Sequence, residues 1–236
     1  LDLDPLDFFN GDHRKQSLQS MNNDKIVKGC ETCFKNEDNN LSSKRIEYKV
    51  YDNLKTKKNP KIIELDLSNF CNLKCIMCDA NRSSQHAKDK GLGVSAISRE
   101  YIESLLEISD DLQLVTIQGG EPSIMDEFTY YFGELQKRNI CKNIDLQIIT
   151  NLTNVNDRFL AILPYFKSVR FSISVDAHGT ANDYIRWPSK FNAIDKNITK
   201  IINSIKNYKK IMVEEFIGGR EIQVAIMGNK KLGAIE

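Results

Sequence analysis

From residue 62 onward the apolar and polar positions of this chain change rhythm in a regular way. The run Ile62-Ile63-Glu64-Leu65-Asp66-Leu67-Ser68 alternates as a strand does. A helical period takes over near 98–108, where Ser98 is a suitable N-cap and Glu100 falls in the first turn. Strand-like 112–117, helix-like 126–138, strand-like 144–149, helix-like 156–163, strand-like 168–175 and helix-like 192–207 follow. Parallel strands with crossover helices satisfy this alternation, so the expected fold is α/β, a partial (β/α) barrel cut after about four units. In such barrels the C-terminal strand ends carry the chemistry. Past about Lys209 the rhythm breaks: runs 211–217 and 221–228 read as strands separated only by Gly218-Gly219-Arg220, which leaves room for a hairpin and none for a crossover helix. The expected organisation is a segment with linker at 1–60, the partial barrel at 61–208 and a hairpin fragment at 209–236. The polar, Asn- and Lys-rich stretches 35–45 and 52–61 read as linkers.

Composition narrows the function classes. With 236 residues, 41% of them hydrophobic, the chain can bury a core. A formal charge of +1 gives no electrostatic case for nucleic acid or an anionic membrane as partner, and no apolar stretch is long enough to span a bilayer. Five of the six cysteines fall in two tight groups, 30/33 and 71/75/78. That is metal-ligand rather than disulfide spacing, and with no secretory signal in view it points to a reduced, cytoplasmic setting.

The second group, Cys71-Asn72-Leu73-Lys74-Cys75-Ile76-Met77-Cys78, directly follows the first strand. Three thiolates suit a centre that takes three protein ligands and leaves one position open, whereas a closed zinc site wants four. The pattern resembles the radical S-adenosylmethionine (SAM) enzymes of the SPASM/twitch kind over about residues 7–205. The resemblance implies a 4Fe-4S cluster on Cys71, Cys75 and Cys78, with SAM chelating the fourth iron and cleaved to methionine and a 5′-deoxyadenosyl radical. It implies an electron donor such as flavodoxin or ferredoxin, hydrogen abstraction from a substrate, and peptide or protein modification within the SPASM/twitch group. The residue before the last cysteine is often aromatic in that family; here it is Met77, whose thioether can pack against adenine. A zinc knuckle completed by His86, part of a cysteine-rich interaction module, is the alternative.

The other strand ends extend the resemblance. Gln118-Gly119-Gly120-Glu121-Pro122 resembles the family's GGEP motif, implying that Gly119, Gly120, Glu121 and Pro122 contact the amino group of SAM. Glycines allow close backbone approach and a carboxylate accepts from an ammonium, although a plain turn explains Gly119-Gly120 equally. The third strand ends in Thr150-Asn151 and the fourth in Ser172-Ile173-Ser174-Val175-Asp176, like the family's Ser-Leu-Asp-Gly. By that likeness Asn151 and Ser174 face the SAM carboxylate or ribose, Asp176 SAM or the substrate, and Arg186 pairs with a carboxylate. Solvated residues where a strand meets a loop are the competing reading of Asn151, Ser174 and Asp176. His178, His13 and Cys141 have no motif around them and read as structural.

Gly29-Cys30-Glu31-Thr32-Cys33 resembles an auxiliary-cluster segment of SPASM/twitch proteins, so Cys30 and Cys33 are expected to be half of a second Fe-S site. Two cysteines do not close such a site, and zinc or nothing is the alternative. The tail from about Lys209 to Glu236 resembles the central part of D-alanine–D-alanine ligases of the ATP-grasp fold, without their glycine-rich phosphate loop and metal-binding Glu and Asn. The expectation is a non-catalytic fragment, joined as a fusion or by a mis-joined reading frame.

Overall fold

In the computed structural model the structure describes residues 4–23, 25–51, 59–204, 223–227 and 230–235. Four strands form one parallel sheet in sequential order: β1 (Ile62–Asp66), β2 (Leu114–Gln118), β3 (Asp145–Thr150) and β4 (Ser168–Ile173). The register runs Asp66↔Gln118, Ile117↔Ile148 and Thr150↔Ile173, so the four C-terminal ends share one edge. The interior strand β2 buries Leu114, Val115 and Ile117 and keeps Thr116 and Gln118 half-buried, whereas β4 alternates exposed and half-buried positions and pairs only with β3 among the described residues.

The crossover helices follow the sequence rhythm closely. Helix α6 (Arg99–Glu107) begins where Ser98 accepts from the Tyr101 amide, and α8 (Asp157–Ile162) where Asn156 accepts from Phe159. Between them α7 (Asp126–Lys137) puts Phe128, Tyr131, Phe132 and Leu135 inward, all fully buried. The Phe128 ring lies 4.6 Å from Phe132 and 5.1 Å from Phe159, which joins α7 to α8, and Phe159 lies 6.3 Å from Phe171 of β4. Helix α10 (Phe191–Ser204) follows β4.

The chain also holds helices that its polar pattern conceals. They are α1 (Pro5–Asn10), α2 (Asp12–Asn22), α3 (Glu31–Asp38), α4 (Lys44–Glu47), α5 (Ser84–Asp89) and α9 (Thr180–Ile185). The stretch 35–45 is therefore no plain linker: α3 ends in it and α4 begins in it, Ser43 capping the latter by accepting from Ile46. Within 52–61, residues 52–58 lie outside the described residues. Helix α1 is docked on the barrel: the Ser104 hydroxyl donates to the Asp4 carboxylate (2.6 Å), which caps α1.

At the other end β5 (Gln223–Met227) pairs antiparallel with β6 (Lys230–Ile235). The hairpin is of a different pair from the expected one: β5, which lies within run 221–228, pairs with β6, a strand the apolar pattern does not single out. Run 211–217 lies outside the described residues. Neither described hairpin strand joins the four-stranded sheet. Among the described residues no helix is long and apolar enough to cross a membrane.

Candidate radical centre at the strand ends

The cysteine loop leaves β1 and is held in shape from beneath. Ser84, in the first turn of α5, accepts from the Cys71 amide (3.2 Å) and donates to its carbonyl (3.1 Å), while the Ser83 hydroxyl donates to the Leu73 carbonyl (2.6 Å). His86 Nε2 lies 2.9 Å from the Cys75 carbonyl, so that ring nitrogen supports the loop's backbone instead of facing a metal as the zinc alternative would have it. Cys71 and Cys75 are buried, Cys78 half-buried, and the three thiols pack together around Leu73.

Burial pushes the Cys71 thiol up to about 11 and Cys75 up to about 12, the latter raised further by Cys78 and opposed by the Arg186 guanidinium. Thiols crowded this way resist ionisation until a cation arrives, and a coordinating thiol is deprotonated outright. Among the described residues no three His, Cys, Asp or Glu side chains are gathered as one metal ion requires. A cluster makes a different demand, since each thiolate takes its own iron. Three thiols on one loop, one of them open to solvent, fit that donor set.

Two glycines clamp the end of β2 against this loop. Gly119 has φ +112°, and a Cβ there would collide with the Asp66 carboxylate; a Cβ on Gly120 would collide with the Phe70 carbonyl. The closeness lets the Gly120 amide donate to Ser68 O (2.8 Å) and the Glu121 amide to Phe70 O (2.7 Å), one residue before the first cysteine. The close approach accounts for both glycines, where a plain turn would not require them.

Glu121 and Pro122 are placed differently from the expected ligand contact. Both are buried, Glu121 completely. Its carboxyl group meets the Asn151 amide (2.7 Å), the Ser123 amide (3.1 Å), the Ser123 hydroxyl (2.6 Å) and the Thr150 hydroxyl (2.5 Å), tying the end of β2 to the end of β3. Ser123 Oγ also lies 2.6 Å from the Asn154 carbonyl. One hydroxyl proton cannot serve both acceptors; a proton on Glu121 resolves the chain of bonds. Burial agrees, pushing the Glu121 carboxyl above its usual range against the hydrogen bonds that lower it.

Asn151 turns to the cysteine loop: its amide nitrogen lies 3.8 Å from Cys71 Sγ and 3.1 Å from Asn72 Oδ1, and its oxygen accepts from Thr153. Ser174 is half-buried, its amide extending the β3–β4 ladder to Thr150 O (2.8 Å). Asp176 and Arg186 find each other, Nε to Oδ2 at 2.5 Å. Met77 is exposed on the loop.

The structure thus brings Cys71, Cys75, Cys78, Gly119, Gly120, Asn151 and Arg186 to one sheet edge. The supports Ser83, Ser84 and Thr153 escaped the sequence reading; only the pair Ser83-Ser84, a helix-start signal, could have pointed to them. Cys30 and Cys33 lie half-buried at the start of α3, and among the described residues no third ligand joins them. The His178 ring lies 4.9 Å from that of Phe191, and Cys141 is fully buried with its thiol on the Phe132 carbonyl. A cleft of about 730 Å³ beside β1, lined by Asp66, Ser68, Asn69 and Tyr101 among others, includes none of the cysteines.

Solved structures similar to the chain include SuiB of Streptococcus suis bound to precursor peptide SuiA (17% identity, TM-score 0.47, 76% of this chain and 37% of that one). Another is anSMEcpe with bound AdoMet (22% identity, TM-score 0.45, 61% and 41%). The chain thus spans about two fifths of the length of these proteins. Over 40 residues, 17% of this chain and 13% of the other, it is 65% identical to the D-alanine–D-alanine ligase of Pelagibacter ubique (strain HTCC1062). The sequence model of the Radical SAM superfamily matches residues 65–219, well over half of the chain and spanning all four strand ends described above. The chain belongs to the radical SAM superfamily.

Proposed function

We propose that Cys71, Cys75 and Cys78 hold a 4Fe-4S cluster whose open iron takes SAM, and that the protein uses this centre to abstract hydrogen from a peptide or protein substrate. When bound, the cluster and SAM together supply a 5′-deoxyadenosyl radical by one-electron cleavage of the SAM sulfonium, the electron coming from a flavodoxin- or ferredoxin-like donor. The chain's own part is holding and shielding. Ser83, Ser84 and His86 fix the loop backbone so that three thiols stay together, and Asn151 offers an N–H toward the Cys71 sulfur. Gly119 and Gly120 keep the backbone of the β2 turn free of side chains beside the loop. Ser174 and Met77 stand at the same edge to meet SAM, Met77 through its exposed thioether. Glu121 acts from below by joining the ends of β2 and β3, and Pro122 opens the short turn that follows it.

The single observation that carries this reading is the stitching of the cysteine loop to the Gly119-Gly120 turn on one side and to residues 185–187 on another. The peptide or protein substrate, and a second cluster with Cys30 and Cys33 among its ligands, follow from the SPASM/twitch resemblance. We assign 1–60 to that auxiliary segment and linker, 61–208 to the catalytic domain and 209–236 to a ligase-like fragment outside the chemistry. The test is anaerobic reconstitution with iron and sulfide. Wild type and Cys141→Ala should bind equal iron with visible charge-transfer absorption, and Cys75→Ala should lose most of it. Equal iron in wild type and Cys75→Ala would defeat the proposal, and stoichiometric zinc without iron would favour the knuckle.

A further inference from the structure

The two residues flanking Cys75 are hydrogen-bonded to the two flanking Arg186. Lys74 N–H donates to Trp187 O (2.6 Å) and Ile76 N–H to Ile185 O (2.9 Å), which sets Cys75 and Arg186 opposite one another across the two bonds. The Arg186 side chain is 15% exposed and its Nε lies 2.5 Å from Asp176 Oδ2, yet the N–H is not aimed at that oxygen and finds no other acceptor. Proximity to the carboxylate, more than a directed bond, defines this pair. Asn182, fully buried, fastens both partners: its side-chain oxygen accepts from the Asp176 amide (3.1 Å) and its main-chain oxygen from the Arg186 amide (2.8 Å). The loop from 176 to 186 is thereby closed at its two charged ends, with the cation against the cysteine loop.

We infer that the Asp176–Arg186 pair sets the reduction potential of the metal centre on Cys71, Cys75 and Cys78, and that Asn182 is the residue that positions the pair. The inference rests on the reading of the site given above. Reduction adds a negative charge to a cluster, and net charge near a cluster is among the determinants of its potential. With Cys75 buried and the Arg186 side chain 15% exposed, the interaction is only partly screened. A guanidinium opposite Cys75 favours the reduced state, and the Asp176 carboxylate offsets part of that. The carboxylate that Arg186 pairs with is that of Asp176, and the pair stands opposite Cys75.

Full-length protein reconstituted with iron and sulfide tests this by anaerobic reductive titration, the reduced cluster being followed by electron paramagnetic resonance. Arg186→Gln should lower the midpoint potential by about tenfold in the one-electron equilibrium, which is about 59 mV. Asp176→Asn should raise it, Arg186→Lys should leave it near wild type, and Asn182→Ala should lower it part of the way, all with unchanged iron content. A purely structural role does not produce shifts of opposite sign from the two halves of one pair. Equal midpoints at full iron content, shifts of the same sign in Arg186→Gln and Asp176→Asn, or iron loss common to both would overturn the inference. Failure of wild type to form a SAM-responsive cluster would instead overturn the reading on which it rests.

Discussion

Glu121 and Gly120 show how much of this site is decided by single atoms. The carboxyl group of Glu121 is fully buried, and its raised pKa has burial as the leading cause. A carboxyl whose folded pKa lies above its unfolded value contributes stability that is complete below the unfolded pKa, near 4.5, and is lost as pH rises through the folded value. Glu121→Gln keeps a donor toward Ser123 Oγ and cannot ionise, so it should flatten the pH dependence of the urea midpoint above pH 4.5. A variant with the wild-type slope would show that Glu121 is already ionised. Gly120→Ala drives a methyl group into the Phe70 carbonyl and should cost about 1–3 kcal/mol in urea unfolding, the range for forced overpacking. It should also reduce iron uptake, because the strained residue adjoins Cys71. An unchanged midpoint and iron content would mean that the turn is free to shift.

The four strands and helices α6, α7, α8 and α10 are legible because packing imposes periodicity on them: Ile102, Leu105 and Leu106 of α6, and Phe128, Tyr131, Phe132 and Leu135 of α7, recur where a buried stripe needs them. Helix α2 buries none of its residues, and α4 and α5 are too short to display a period, so the sequence shows them only as polar stretches. Caps carry their own test. Ser98 makes one capping bond, whereas Asn156 caps α8 and also donates to the Ser123 carbonyl beside Glu121 (2.8 Å). Ser98→Ala should cost about 1 kcal/mol and Asn156→Ala about 2, at the upper end of cap losses, both read from urea melts. Equal losses would show that the second bond of Asn156 contributes nothing.

At the scale of the molecule, the cysteine spacing and the paired glycines were readable because each meets a local chemical demand at the end of a strand. The opposition of Cys75 and Arg186 was not, since it depends on a contact between segments 110 residues apart, and neither was the inward turn of Glu121, which depends on Thr150 and Asn151 arriving from β3. The two described strands of the C-terminal hairpin pair with each other and not with the four-stranded sheet. Deleting residues 209–236 should accordingly leave iron binding at wild-type level, and loss of iron from a folded deletion variant would show that the tail belongs to the centre. The central claim is that one loop of three thiols, held against the Gly119-Gly120 turn, makes a SAM-binding iron-sulfur centre. Electron paramagnetic resonance of the reconstituted, reduced protein with and without SAM tests it most directly. The account predicts a 4Fe-4S signal that changes when SAM is added and is absent in Cys75→Ala; a spectrum indifferent to SAM, or no cluster signal in wild type, would contradict it.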